Sequence, residues 1–268
     1  MTMVVDGGQH AAPTIVLVHG VGLDHHMWDG VTAELAAGYR VVRYDLVGHG
    51  ISAAYPGEVT LDTFVDQLLQ VVNTAQLDSF VLVGFSLGAL ITQAFASRFP
   101  DRVAALVLAN GVFDRSPDER DAVLARVDEV LAGGYADSIE TALDRWFSAS
   151  FATSHPDVVE TVRLRLQRND IASYIQAYRV FATASEPLVL TAPMLSAPTL
   201  VVTGADDSRS TPAMARALAA AIQHGQAAVL PGLRHLAPVE DPATVARLIV
   251  RFLESLGLGS DPPCQERE

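Results

Sequence analysis

Phe80-Val81-Leu82-Val83-Gly84-Phe85-Ser86-Leu87-Gly88-Ala89-Leu90-Ile91-Thr92-Gln93-Ala94-Phe95 decides the fold. Its first four residues form an apolar run that predicts a buried strand, and the residues from Ala89 onward predict a helix. Between them stands a serine flanked by glycines, the strand–turn–helix setting that a G-x-S-x-G nucleophile requires. A side chain at Gly84 or Gly88 would collide with the adjoining strand or helix at so sharp a turn, and the serine must take a strained backbone conformation. Such a turn lifts the serine oxygen above the sheet at the positive end of a helix, where developing negative charge is stabilised. Ser86 is the candidate nucleophile.

Outward from this segment, short β-rich runs alternate with helical patterns. The predicted strands are 14–18, 40–44, 80–83, 103–108, 199–203 and 227–230. The helices between them fall near 27–36, 60–75, 87–99, 212–222 and 243–256. Such alternation predicts an α/β fold, a mostly parallel twisted sheet flanked by helices on both faces. From 113 to 192 no strand pattern is visible and four helical patterns follow one another. The first opens on Ser116-Pro117-Asp118-Glu119, which has capping-box spacing with proline at the first helical position. The others run 135–151, 156–167 and 171–184. This stretch reads as an all-helical cap over the site, or else as a surface elaboration. Residues 1–112 and 193–258 then form the core domain, with a disordered tail over 259–268 where Pro262 and Pro263 block a helix.

Composition narrows the classes of function. The 268 residues are long enough for one large domain, and half of them are hydrophobic. A net charge of −13 argues against nucleic acid or an anionic membrane surface as partner. All eighteen basic residues are arginine. A single cysteine, Cys264, excludes a disulfide framework and fits a reducing cytoplasm. No secretory leader or membrane span is visible. A small-molecule substrate is the expected partner, with monomer and homodimer both open.

A serine hydroxyl needs a base to take its proton. Of eight histidines, His10, His155 and His224 fall in flexible or surface segments. His25 and His26 could line the pocket but show no metal-ligand spacing. His235 lies in Leu230-Pro231-Gly232-Leu233-Arg234-His235-Leu236, between the last strand and the final helix, where loops of α/β active sites gather. The histidine in turn needs a carboxylate to fix its tautomer. Thr203-Gly204-Ala205-Asp206-Asp207 leaves another strand and offers two, Asp207 preferred and Asp206 the fallback, with Asp114 a weaker candidate. His19-Gly20-Val21-Gly22 follows the first strand, and the amides of Val21 and Leu87 are the expected oxyanion hole. His19 itself is expected to hold that loop. No metal or organic cofactor is expected.

Taken together, these motifs resemble the α/β-hydrolase fold serine hydrolases over nearly the whole chain. The carriers are His19-Gly20-Val21-Gly22, Asp45-Leu46-Val47-Gly48-His49-Gly50, the serine turn, the Thr203–Asp207 turn and Pro231-Gly232-Leu233-Arg234-His235-Leu236. The order Ser…Asp…His is that superfamily's order. The resemblance implies Ser86 as nucleophile, His235 as base and Asp207 as acid, with the cap inserted after the sixth strand of the family's sheet. His25-His26-Met27-Trp28-Asp29, Arg43-Tyr44-Asp45, Gln93 and Arg145-Trp146-Phe147 are most similar to the 3-oxoadipate enol-lactonase-like and carboxylesterase group. Val47 replaces a common arginine, Ala89 a frequent glycine, and the start of the first core strand by Thr14 implies a leading hairpin that is shortened or missing.

The expected activity is hydrolysis of an ester or lactone of a small organic acid through an acyl-enzyme. C–C hydrolysis of a ring-cleavage diketone is a rival, against which Phe85 stands where relatives of that kind carry asparagine. A non-turnover receptor on the same fold is a rival of another class. Candidate substrate contacts are Trp28, Trp146 and Arg145. Phe147, Phe151, Tyr174, Tyr178 and Phe181 are further aromatic candidates in the cap. One arginine among Arg145, Arg163, Arg165, Arg168 and Arg179 is expected to hold the carboxylate of an acidic lactone.

Overall fold

A computed structural model describes residues 4–9 and 12–259. His10, Cys264 and the expected tail beyond Gly259 lie outside the described residues. Among the described residues seven strands form one sheet: β1 (Val4–Gly8), β2 (Thr14–Val18), β3 (Arg40–Tyr44), β4 (Phe80–Phe85), β5 (Val103–Ala109), β6 (Thr199–Gly204) and β7 (Gly225–Leu230). Their order is β1-β3-β2-β4-β5-β6-β7, and every pairing is parallel except β1 with β3. The leading segment is thus present as one antiparallel edge strand, so of the two expectations, a shortened or a missing hairpin, the shortened one holds. It escapes a pattern search because Val4-Val5-Asp6-Gly7-Gly8 has neither alternation nor length, and Asp6 is fixed by an ion pair to Arg40 across the pair.

Successive strand residues bury into opposite faces. Leu82 of β4 packs into one apolar layer and Val81, Val83 and Phe85 into the other. Burial on both faces explains why the central strands read as continuous apolar runs. On one face lie α2 (Leu61–Thr74), α3 (Leu87–Arg98) and α10 (Pro212–Ala221), and on the other α1 (Asp29–Leu35) and α12 (Pro242–Ser255). Helix α3 is buried on nearly every side, from Leu87 to Ala96, which accounts for its small and apolar composition.

Between β5 and β6 the chain forms helices only: α4 (Pro117–Leu131), α5 (Tyr135–Trp146), α6 (Ala149–Ser154), α7 (Pro156–Gln167), α8 (Ile171–Thr183) and α9 (Ser185–Thr191). This helical insertion follows the fifth strand in chain order, not the sixth, because a single strand precedes β2. Ser116 and Glu119 make the reciprocal capping box at the start of α4. The helix expected over 135–151 is two helices. Phe147 leaves helical geometry (φ −108°, ψ 144°) and Ser148 caps a new helix by accepting from the Phe151 amide. Helix α9 is an addition, since Pro187 reads as a breaker yet sits in the first turn, where its missing N–H costs nothing. A short helix α11 (Ala237–Glu240) completes the set.

Candidate active site

The turn at the end of β4 is built as its residue types demand. Ser86 has φ 54° and ψ −112°, a conformation that costs a non-glycine residue about 1–3 kcal/mol. A Cβ at Gly84 would lie 2.3 Å from the Gly88 carbonyl oxygen, and one at Gly88 would lie 2.3 Å from the Val18 carbonyl oxygen. Both glycines are therefore fixed by close backbone approach, and the strain at Ser86 is held by its amide donating to Ala109 O at 2.9 Å.

The loops after β6 and β7 bring the remaining groups to that serine. His235 Nδ1 lies 2.7 Å from Asp207 Oδ2, and His235 Nε2 lies 3.3 Å from Ser86 Oγ. A carboxylate acceptor assigns the proton to Nδ1, leaving the Nε2 lone pair toward the serine hydroxyl. All three residues are buried. The close approach of the two loops again depends on a glycine, since a Cβ on Gly204 would lie 2.2 Å from Leu233 O.

Asp207 is the carboxylate that faces His235, and Asp206 and Asp114 are both exposed. Its Oδ1 accepts from the amides of Arg209 and Ser210, each at 3.0 Å, and Oδ2 also accepts from Asn110 Nδ2 at 3.0 Å. Burial alone would raise its pKa. The His235 charge and these donors outweigh burial and hold the carboxyl at about 2. Asn110, directly after β5, is a site residue that pattern reading missed. Its place at the carboxyl end of a strand was the available signal.

The loop after β2 runs against the serine, for a Cβ on Gly20 would lie 3.1 Å from Ser86 Cβ. The amides of Val21 and Leu87 have no hydrogen-bond partner among the described residues, as donors awaiting an oxyanion should. His19 holds this loop. Its Nε2 accepts from the Leu46 amide at 2.9 Å and its Nδ1 lies 2.8 Å from Gly20 O, which fixes a neutral tautomer. Burial, and then the neighbouring His49, depress its pKa to about 3.

Above the serine lies a cavity of about 50 Å³, lined in part by the helical insertion. Trp146, Tyr174, Tyr178 and Phe181 line it, as does Arg145. His235 is sandwiched between Phe85, with ring centroids 5.0 Å apart, and Trp146, at 6.1 Å. Trp28 is corrected: it is fully buried, its ring edge-on to Phe85 on the core side, and does not line the cavity. Phe147 and Phe151 stack on one another away from it. Nor do His25 and His26 reach it, and His25 is instead bonded to Asp45 at 2.7 Å. Of the five arginines singled out in the sequence, Arg145, Arg163, Arg165, Arg168 and Arg179, only Arg145 arrives. Arg163 pairs with Glu140 and Glu160, Arg165 with Asp24, and Arg168 and Arg179 face other surfaces. Arg126 and Arg209 line the cavity without having been foreseen. Among the described residues no cluster of His, Cys, Asp or Glu is placed to hold a metal ion, and no helix is long and apolar enough to cross a membrane.

The model of the alpha/beta hydrolase fold family matches residues 13–242. The chain belongs to the alpha/beta hydrolase family. A relative in Acinetobacter baylyi, (E)-2-((N-methylformamido)methylene)succinate hydrolase, is 34% identical over 90% of each chain. 3-Oxoadipate enol-lactonase 2 of the same species is 28% identical over 88% of this chain and 86% of that one. Among solved structures, a thermophilic esterase from Thermogutta terrifontis with malate bound superposes with a TM-score of 0.87, at 30% identity over 95% of this chain and 93% of the other. This alpha/beta hydrolase is thus related to the enol-lactonases and esterases, and a hydrolytic function follows from that relationship.

Proposed function

We propose that the protein is a cofactor-independent serine hydrolase that cleaves an ester or lactone of a small organic acid. The observation that carries this reading is the continuous path from Asp207 through His235 to Ser86, at 2.7 and 3.3 Å, where all three residues line one cavity. Ser86 Oγ attacks the carbonyl carbon while His235 Nε2 takes its proton. The carbonyl oxygen, now negative, is held by the amides of Val21 and Leu87. Collapse expels the leaving oxygen, which takes the proton from His235, and a water activated by the same histidine then releases the acid. Asp207 stabilises the imidazolium throughout. Arg126 and Arg145 bind a carboxylate of the substrate, which fits the enol-lactonase relatives and the malate bound by the neighbouring esterase.

A second reading keeps the triad and cleaves a C–N bond, because the relative at 34% identity acts on a formamido compound by its name. A panel of methyl esters, small lactones and N-substituted formamides separates the two, with Ser86→Ala measured alongside. Turnover of esters or lactones that falls by about 10⁴-fold or more in the variant supports the proposal. Turnover confined to formamides selects the second reading, and undiminished turnover by the variant overturns both.

A further inference from the structure

The arginines of this acidic chain are unevenly placed. Arg115 in the β5–α4 loop, Arg126 on α4, Arg145 on α5 and Arg209 in the β6–α10 loop converge on the serine cavity and on a smaller one beside it. The smaller cavity holds about 40 Å³ and shares Arg126, Phe181, Ser208 and Arg209 with the first. None of these four arginines forms an ion pair among the described residues, whereas Arg40, Arg43, Arg98, Arg163 and Arg165 all do. Acidic side chains outnumber basic ones by 31 to 18 in the sequence, so partners are not scarce. The carboxylates that line the two cavities are hydrogen-bonded elsewhere. Asp207 serves His235, and Glu119, which lines the smaller cavity, caps α4 at the Ser116 amide.

Neutral acceptors hold the cluster together against its own repulsion. Arg126 donates to the Tyr178 hydroxyl at 3.1 Å, Arg145 to Thr141 O at 3.0 Å and Arg115 to Phe181 O at 2.7 Å, while its guanidinium lies 4.2 Å from the centroid of the Phe181 ring. Burial brings Arg115 down to about 10, with Arg126 and Arg209 adding to the fall and Tyr178 and Glu119 opposing it, and Arg145 is depressed by burial and then by Arg126, with Arg209 adding to it. Like charges gathered around partly buried cavities are relieved by a ligand that brings several negative charges at fixed spacing. Planar forks of this kind suit carboxylates, and the smaller cavity has room for a compact group.

We infer that the acid portion of the substrate carries two free carboxylates, one held by Arg126 and Arg145 in the serine cavity, the other between Arg115 and Arg209 in the cavity beside it. The inference rests on the esterase reading for the position of the scissile bond. The two carboxylates are read out separately from turnover.

Three methyl esters form the test: methyl butyrate, monomethyl glutarate and a monomethyl ester of propane-1,2,3-tricarboxylic acid, bearing none, one and two free carboxylates. In the wild-type protein kcat/KM rises about tenfold or more with each added carboxylate, the scale of one charged hydrogen-bonded contact. Arg209→Gln changes an exposed side chain and keeps the Asp207 contact made by its own amide. It lowers the preference for the dicarboxylate over the monocarboxylate ester to near one, through KM. Calorimetric binding of propane-1,2,3-tricarboxylate to Ser86→Ala measures the same site without chemistry, and Arg209→Gln in that background weakens it about tenfold. Binding of the free acid without any ester turnover keeps the two-carboxylate site and discards the esterase reading. Ester turnover with no gain from the second carboxylate, or a gain that Arg209→Gln leaves intact, overturns the inference, as does tighter binding of inorganic phosphate than of the tricarboxylate.

Discussion

Asp207 accepts four hydrogen bonds, from His235, Asn110 and the amides of Arg209 and Ser210. Its folded-state pKa of about 2 lies below the ordinary 3.8, so the native state binds fewer protons than the unfolded chain between these values. The stability this contributes, about 2 kcal/mol, is present above pH 4 and is lost as pH falls toward 2. Asp207→Asn removes that slope in urea titrations between pH 4.5 and 2.5, and it lowers kcat about 10⁴-fold at pH 7 because the histidine loses its tautomer. Equal pH slopes in the two proteins would contradict the assignment. At this scale the serine and histidine were legible because strand–turn–helix context and loop position single them out. Asn110 was not, because an asparagine after a strand looks like any turn residue until its amide is seen 3.0 Å from the carboxylate. Trp28 failed for the opposite reason: a large ring near a catalytic loop fits core and pocket equally well in one dimension.

Among the elements, α5, α6 and the histidine loop are fastened together. Glu240 of α11 accepts from the Ser148 amide at 2.7 Å and from the Arg234 amide at 3.0 Å, and the Leu236 amide donates to Trp146 O at 3.0 Å. The residues on either side of His235 are thus tied to the insertion. Glu240→Ala frees both amides and lets the imidazole drift. A displacement near 1 Å costs about 10–100-fold in kcat, with KM little changed, in steady-state assays on the ester that the panel selects. An altered KM at constant kcat would place Glu240 in binding instead. Periodicity predicted the parallel strands and α2, α3, α10 and α12 closely, since two-sided burial writes itself into composition. The break at Phe147 and the extra helix α9 were not legible, because each depends on which neighbour supplies a cap or covers a proline.

At the scale of the whole molecule, His19 links the β2 loop to the β3 loop through the Leu46 amide. Its pKa falls from 6.5 to about 3 through burial and then His49, so it folds neutral while the unfolded chain takes up a proton. Stability is therefore lost as pH drops from about 6.5 toward 3. His19→Gln flattens the dependence of the thermal midpoint on pH between 7 and 5, and an unchanged slope would refute this account. The family and the parallel sheet could be read from motif order alone. The four converging arginines could not, since they are brought together only by the packing of the insertion on the β6–α10 loop.

The insertion is anchored at both flanks, by Glu240 beside the histidine and by Asn169, whose Nδ2 donates to Gly22 O at 2.8 Å next to the Val21 amide. Under the proposed function, specificity and chemistry are therefore not separable modules here. A chimera that exchanges residues 113–192 for another hydrolase's helices inherits a new pocket but forfeits the supports of His235 and of the loop that carries Val21. Retargeting this scaffold calls for point changes among the cavity-facing side chains, with Ser148, Trp146 and Asn169 carried over into any graft.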